Sequence, residues 1–91
     1  MTRIKVKALV WDAWNLEHIQ KHRIKTKEVE EAGKNLIYHR KTHDGRYLAI
    51  GRSKKKLITL ILKRKNTGQY YIVTARDSSR REIQKVYEKE K

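Results

Sequence analysis

Ninety-one residues leave room for one small domain, and the absence of cysteine excludes disulfides, thiolate nucleophiles and cysteine-bound zinc. Lys and Arg number 24 against 10 Asp and Glu, and this formal charge of +14 predicts a polyanionic partner, with nucleic acid the foremost candidate. No apolar run approaches a membrane span and charges interrupt the opening residues too often for a signal peptide, so a cytoplasmic protein without membrane attachment is expected.

Charged and hydrophobic residues each make up 37% of the chain, a low apolar share that suits a folded domain only because the apolar residues are clustered. Residues 3–10 open with alternating charged and β-branched side chains and read as a strand near a sheet edge. Asp12 then caps a first helix running to about His22, with Trp11, Trp14 or Asn15, His18 and His22 along one face. Thr26 caps a second helix over Lys27 to Ala32, whose Glu28, Glu30 and Glu31 suit a helix N-terminal half, and Gly33 ends it.

Four strand-like runs follow, at 35–41, 46–53, 56–64 and 69–76. Their separators, His43-Asp44-Gly45, Lys54-Lys55 and Asn66-Thr67-Gly68, are short and turn-like, so consecutive antiparallel strands are the simplest arrangement. Leu57 to Leu62 is almost wholly apolar and belongs at the sheet centre, with helices on at least one side. Ser79-Arg80-Arg81-Glu82 matches a capping box and starts a third helix. Its Ile83, Val86 and Tyr87 form an inward stripe, while Glu82, Lys85, Glu88 and Lys89 are expected to face water. The order β-α-α-β-β-β-β-α describes a single α+β domain over residues 1–91, a mostly antiparallel sheet with helices packed on it.

The charge is not spread along this order. Between Glu31 and Asp77 stand twelve Lys or Arg and a single acid, Asp44, so the four consecutive strands and their turns carry +11 of the +14. The partner is expected to meet those strands.

Several motifs in this order resemble the BrnT family of type II toxins, ribonucleases similar to the RelE group. They are Trp11-Asp12 with Asn15, His18 and His22, then Ile24, Glu28 and Ala32, then Gly45-Arg46-Tyr47 with Ile50-Gly51-Arg52. Ile72-Val73-Thr74-Ala75-Arg76, with Ser79, Arg80, Glu82 and Tyr87, completes a match over most of the chain. The resemblance implies a RelE-like fold and a metal-independent endoribonuclease acting through 2′-hydroxyl attack, without a cofactor. It also implies a hetero-oligomer with a cognate antitoxin, whose ribbon-helix-helix end binds DNA. The chain's charge predicts that the antitoxin's toxin-binding segment is acidic. Family members usually carry an acid directly before the first arginine, where Gly45 stands, and Asp44 lies one position early. Ser53 stands where Thr or Val is usual.

Cleavage of RNA without a metal needs a base for the 2′-hydroxyl, cations for charge developing on the phosphate, and a proton for the leaving oxygen. Arg46, Arg52 and Arg76 are the leading cations, because guanidinium offers a planar fork of donors that stays charged. Arg46 and Arg52 share parity with Leu48 and Ile50 and so point to one sheet face if no bulge intervenes. His18 and His22 have i, i+4 spacing without a third ligand, so no metal is assigned; His22 is a candidate for proton transfer and His18 for RNA contact. His39 and His43 rank below the arginines. Tyr47, Tyr70 and Tyr71 are candidates for base stacking, with core packing expected for at least two of them. Lys54, Lys55 and Lys56 form a flexible basic hairpin tip that engages phosphate by charge alone. The same residues also suit a basic RNA-binding module without chemistry, or an interface for an acidic protein.

Overall fold

The apolar run takes the middle of the sheet. In the computed structural model, which describes residues 4–90, it lies in strand β4 (Lys56–Asn66), flanked by β3 (Arg46–Ser53) and β5 (Gln69–Asp77). Beyond them lie β2 (Leu36–Lys41) and β1 (Ala8–Val10), so that among the described residues the sheet runs β1-β5-β4-β3-β2. Strands β2 to β5 pair antiparallel with their chain neighbours, and β1 pairs parallel with β5 at the edge. Helices α1 (Ala13–Lys21), α2 (Thr26–Lys34) and α3 (Arg80–Glu90) complete an α+β domain.

Both faces of β4 are covered, by different helices. Ile58, Leu60 and Leu62 join Ile19, Val29, Ala32, Ala49, Ile72 and Ala75 in the larger core cluster beneath α1 and α2. On the other face Leu57 and Ile61 pack with Leu48 and Ile50 around Val86 of α3. The α1–α2 layer is set by local caps. Asp12 and Asn15 exchange backbone-to-side-chain bonds of 2.8 and 2.9 Å at the start of α1, and the amide of buried Asn15 donates to the Val10 carbonyl at 2.9 Å.

Four sequence expectations shift. The first strand is confined to Ala8–Val10; Ile4 and Val6 pack on the core ahead of it, and the expected first position, Arg3, lies outside the described residues. Thr26 is the first residue of α2 rather than its cap, because the Lys25 amide is already satisfied by the Glu28 carboxylate at 2.9 Å. Gly33 lies inside α2, buried against Leu9, and the helix ends at Asn35, whose side chain donates to the Glu31 carbonyl. Glu82 does not face water; it points into the sheet along with Val86, one turn further on.

Gly51 explains the Ile50-Gly51-Arg52 triplet in packing terms. Its neighbours point toward α3, and a side chain at Gly51 would collide with the Ala32 carbonyl of α2. The backbone contact is what brings α2 down onto β3. Gly51→Ala is therefore expected to lower the unfolding free energy by about 1–3 kcal/mol through overpacking, read as a lower urea midpoint with an unchanged slope. A midpoint equal to the parent's would show that α2 lifts away without penalty.

Candidate nucleic-acid interface

Chain alternation and two tight turns fix which cations share a face. Asp44 (φ 59, ψ 33) and Gly45 (φ 70) supply the paired left-handed residues of an Asp-Gly hairpin connection, closed by the Thr42 amide donating to the Arg46 carbonyl at 2.8 Å. Lys54-Lys55 joins β3 to β4, placing Ser53 opposite Lys56 and, seven residues down the strand, Arg46 opposite Lys63. Lys63 is in turn opposite Tyr71 of β5. Arg40 of β2, opposite Leu48, falls on the same face one row away.

A bulge adds the last arginine. Strict alternation along β5 would put Arg76 on the α1–α2 face with Tyr70 and Ile72. The pairing slips between Ile61 and Leu62, leaving Val73 unpaired, so that Arg76 stands opposite Thr59 on the face of Arg46 and Arg52. The three leading arginines thus share one face. Arg76 is one row from Arg52 and two rows from Arg46.

Their surroundings differ. Helix α3 lies over the end that holds Arg52 and Arg76 and presents Glu82, Val86 and Glu90 at i, i+4 and i+8. Arg76 donates to both oxygens of Glu82 at 2.7 and 2.8 Å. Arg52 donates to both oxygens of Glu90 at 2.9 and 3.3 Å. Glu82 also accepts from the Thr59 hydroxyl at 2.9 Å and the Ser79 amide at 2.7 Å, closing the capping box that its sequence predicts. Burial pushes the Glu82 carboxyl up, but Arg76 together with the Ser79 and Thr59 donors holds it at about 2, well below its free value of 4.5.

Arg46 lies beyond α3. It is exposed, and among the described residues its guanidinium makes no hydrogen bond or ion pair, as is also true of the side-chain charges of Arg40 and Lys63. Beside them the Lys65 ammonium sits 5.5 Å above the Tyr71 ring, and the Tyr71 hydroxyl donates to the Asp12 carboxylate at 2.9 and 3.0 Å. This open end therefore carries Arg40, Arg46 and Lys63 on one face of neighbouring strands, with Lys65 over the Tyr71 ring at its β5 side. Phosphate contacts need that combination of free charge and access.

The remaining candidates lie elsewhere. His18 stacks on Trp14 with centroids 4.8 Å apart, and His22 meets His18 edge-on at 5.7 Å, forming an aromatic ladder on α1 with Trp14 55% exposed. Tyr47 and His39 face the α1–α2 side, where Tyr47 packs on the core and edge-on to buried Tyr70. Of the three tyrosines, Tyr71 alone reaches the arginine face. Lys54 and Lys55 are exposed at the hairpin tip, whereas Lys56 is held between Glu28 and Asp77 at 3.3 and 3.1 Å. Asp44 is exposed, and among the described residues its carboxylate has no partner. No three His, Cys, Asp or Glu among the described residues are grouped to hold a metal ion.

Lys63 and Arg40 are absent from the sequence-derived candidates, although the signal was available. A two-residue turn at Lys54-Lys55 fixes the register, and counting from it pairs Arg46 with Lys63. Comparison with protein-family models finds no family that matches this chain, and comparison with curated proteins finds no relative.

Proposed function

We propose that this protein is a metal-independent endoribonuclease, the toxin of a type II toxin–antitoxin pair with a RelE-like fold, and that Arg46 is its principal phosphate-binding cation. The observation that carries the reading is the unpaired guanidinium of Arg46 with Lys63 directly opposite it on an open, strongly basic end of the sheet. In the reaction the 2′-hydroxyl attacks the adjacent phosphorus and the 5′-oxygen leaves, giving a 2′,3′-cyclic phosphate and a new 5′-hydroxyl end. Arg46 and Lys63 neutralise the charge that grows on the non-bridging oxygens. Arg52 and Arg76 hold neighbouring phosphates of the same strand when these replace the α3 carboxylates; His22, on α1 away from the arginine face, has no place at the Arg46 phosphate. The resemblance of the Gly45-Arg46-Tyr47, Ile50-Gly51-Arg52 and Thr74-Ala75-Arg76 segments to the BrnT family supports the same reading. Its partner is a cytoplasmic antitoxin with an acidic toxin-binding segment and a ribbon-helix-helix DNA-binding end.

One observation favours a second reading, an RNA-binding module without chemistry: two of the three arginines are already satisfied by Glu82 and Glu90. Incubation of the purified protein with labelled RNA in EDTA separates the two. New 5′-hydroxyl ends are the expected result. Full-length RNA in a shifted band would sink the nuclease reading, and failure to bind RNA would sink both. Expression alone in a bacterial host is expected to arrest growth, with rescue by the antitoxin; continued growth at verified expression would count against the toxin.

A further inference from the structure

One broad concavity among the described residues does not contain Arg46. It is a cleft of about 610 Å³ between the start of α2 and the β3–β4 turn, and five lysines and two glutamates contribute to its wall. Lys56 and Glu28 bind each other across it, and Glu28 also caps α2. That leaves Lys25, Lys27, Lys54 and Lys55 facing Glu31 as its only acid. Among the described residues none of these four ammonium groups is held in an ion pair. Lys54 occupies a backbone position with φ 57, which Asn or Gly would adopt more readily.

We propose that this cleft is a second phosphate site, in which Lys25 and Lys27 from α2 and Lys54 and Lys55 from the hairpin grip the phosphodiester backbone of single-stranded RNA. The proposal deepens the ribonuclease reading and rests on it. Lysines on flexible stems suit a backbone whose phosphates vary in position, and the cleft wall carries no aromatic ring to read a base. The site is also remote from the proposed chemistry. It sits at the far end of β3 from Arg46, a span of about 24 Å for seven residues of strand, so one RNA must be long enough to occupy both.

The test uses the full chain with two variant pairs from separate elements, Lys54→Asn/Lys55→Ala and Lys25→Ala/Lys27→Ala, and two unstructured labelled RNAs. One RNA has about 30 nucleotides and the other about 3, too short to bridge the span even when extended to about twice the stacked rise of about 3.4 Å per nucleotide. Each pair is expected to weaken binding of the long RNA and to reduce its slope of log K against log salt by about 1.4, the value for two contacts on a single strand. The short RNA should lose far less, and Lys54→Arg/Lys55→Arg should restore long-RNA binding. Equal losses on both RNAs, an unchanged salt slope, or an effect from only one pair would overturn the second site. An intact chain that binds an acidic peptide through these lysines but no RNA would overturn it too. The parent reading is checked separately by Arg46→Ala on the short RNA, whose cleavage does not involve the cleft.

Discussion

Replacing Arg46 by alanine is expected to slow RNA cleavage by about 10²–10³-fold, the usual effect of removing one donor to a developing oxyanion. The guanidinium is exposed and without a partner among the described residues, so its loss breaks no contact within the protein, and stability should stay within about 0.5 kcal/mol of the parent. Most of the effect belongs in kcat. Arg40, Lys63 and Lys65 remain to hold the ground-state phosphates, and the bond from the Arg46 guanidinium is the one that tightens as charge develops. Arg46→Lys should recover little, because a point charge cannot reproduce the planar fork. Cleavage within about 3-fold of the parent rate, well under the effect of deleting one oxyanion donor, would move the principal role to Arg52 or Arg76. Both would then have to exchange their glutamates for phosphate.

The element order was legible because each boundary has a local cause. Asp12 with Asn15 and Ser79 with Glu82 are reciprocal caps, Asp44-Gly45 is a left-handed turn, and the apolar run of β4 can be buried only at the sheet centre. The errors arose where a long-range partner decides. Ile4 and Val6 alternate like strand residues, yet β5 offers them no ladder beyond Ala8 opposite Gln69. Glu82 carries a helix-start signal and nothing in the sequence that tells of Arg76, because the bulge at Val73 turns Arg76 to its side. The common face of Arg46 and Arg52 followed from parity alone, since β3 pairs with β4 without a break from Arg46 to Ser53. That α3 would occupy Arg52 and Arg76 while leaving Arg46 free depends on how the helix docks, which Ile83, Val86 and Tyr87 do not specify; Tyr87 is 60% exposed.

Arg76→Ala is expected to cost about 1–3 kcal/mol of stability, below the range for a fully buried pair because the Arg76 side chain is 37% exposed. Glu82, with 15% of its side chain exposed, would keep its Thr59 and Ser79 donors but lose its counter-charge. Arg52→Ala offers the contrast. Its pair with Glu90 is more than a third exposed on both sides, so little stability should change. The Glu82 contribution also has a pH signature. Because the folded carboxyl titrates at about 2 and the free one at 4.5, its stabilisation is complete above the free value and is lost as pH falls toward 2. After allowance for solvent screening this is about 1–2 kcal/mol. In urea titrations the parent should therefore weaken more than Arg76→Ala between about pH 7 and about pH 3. Identical pH dependence in the two proteins would show that the pair does not anchor α3. The same comparison decides how an activity loss at Arg76 is read. A double variant, Arg76→Leu/Glu82→Gln, removes both charges while leaving an acceptor for Ser79 and Thr59, and should regain most of the stability. If it regains cleavage as well, Arg76 serves to dock the helix; if stability returns without cleavage, Arg76 acts on the phosphate.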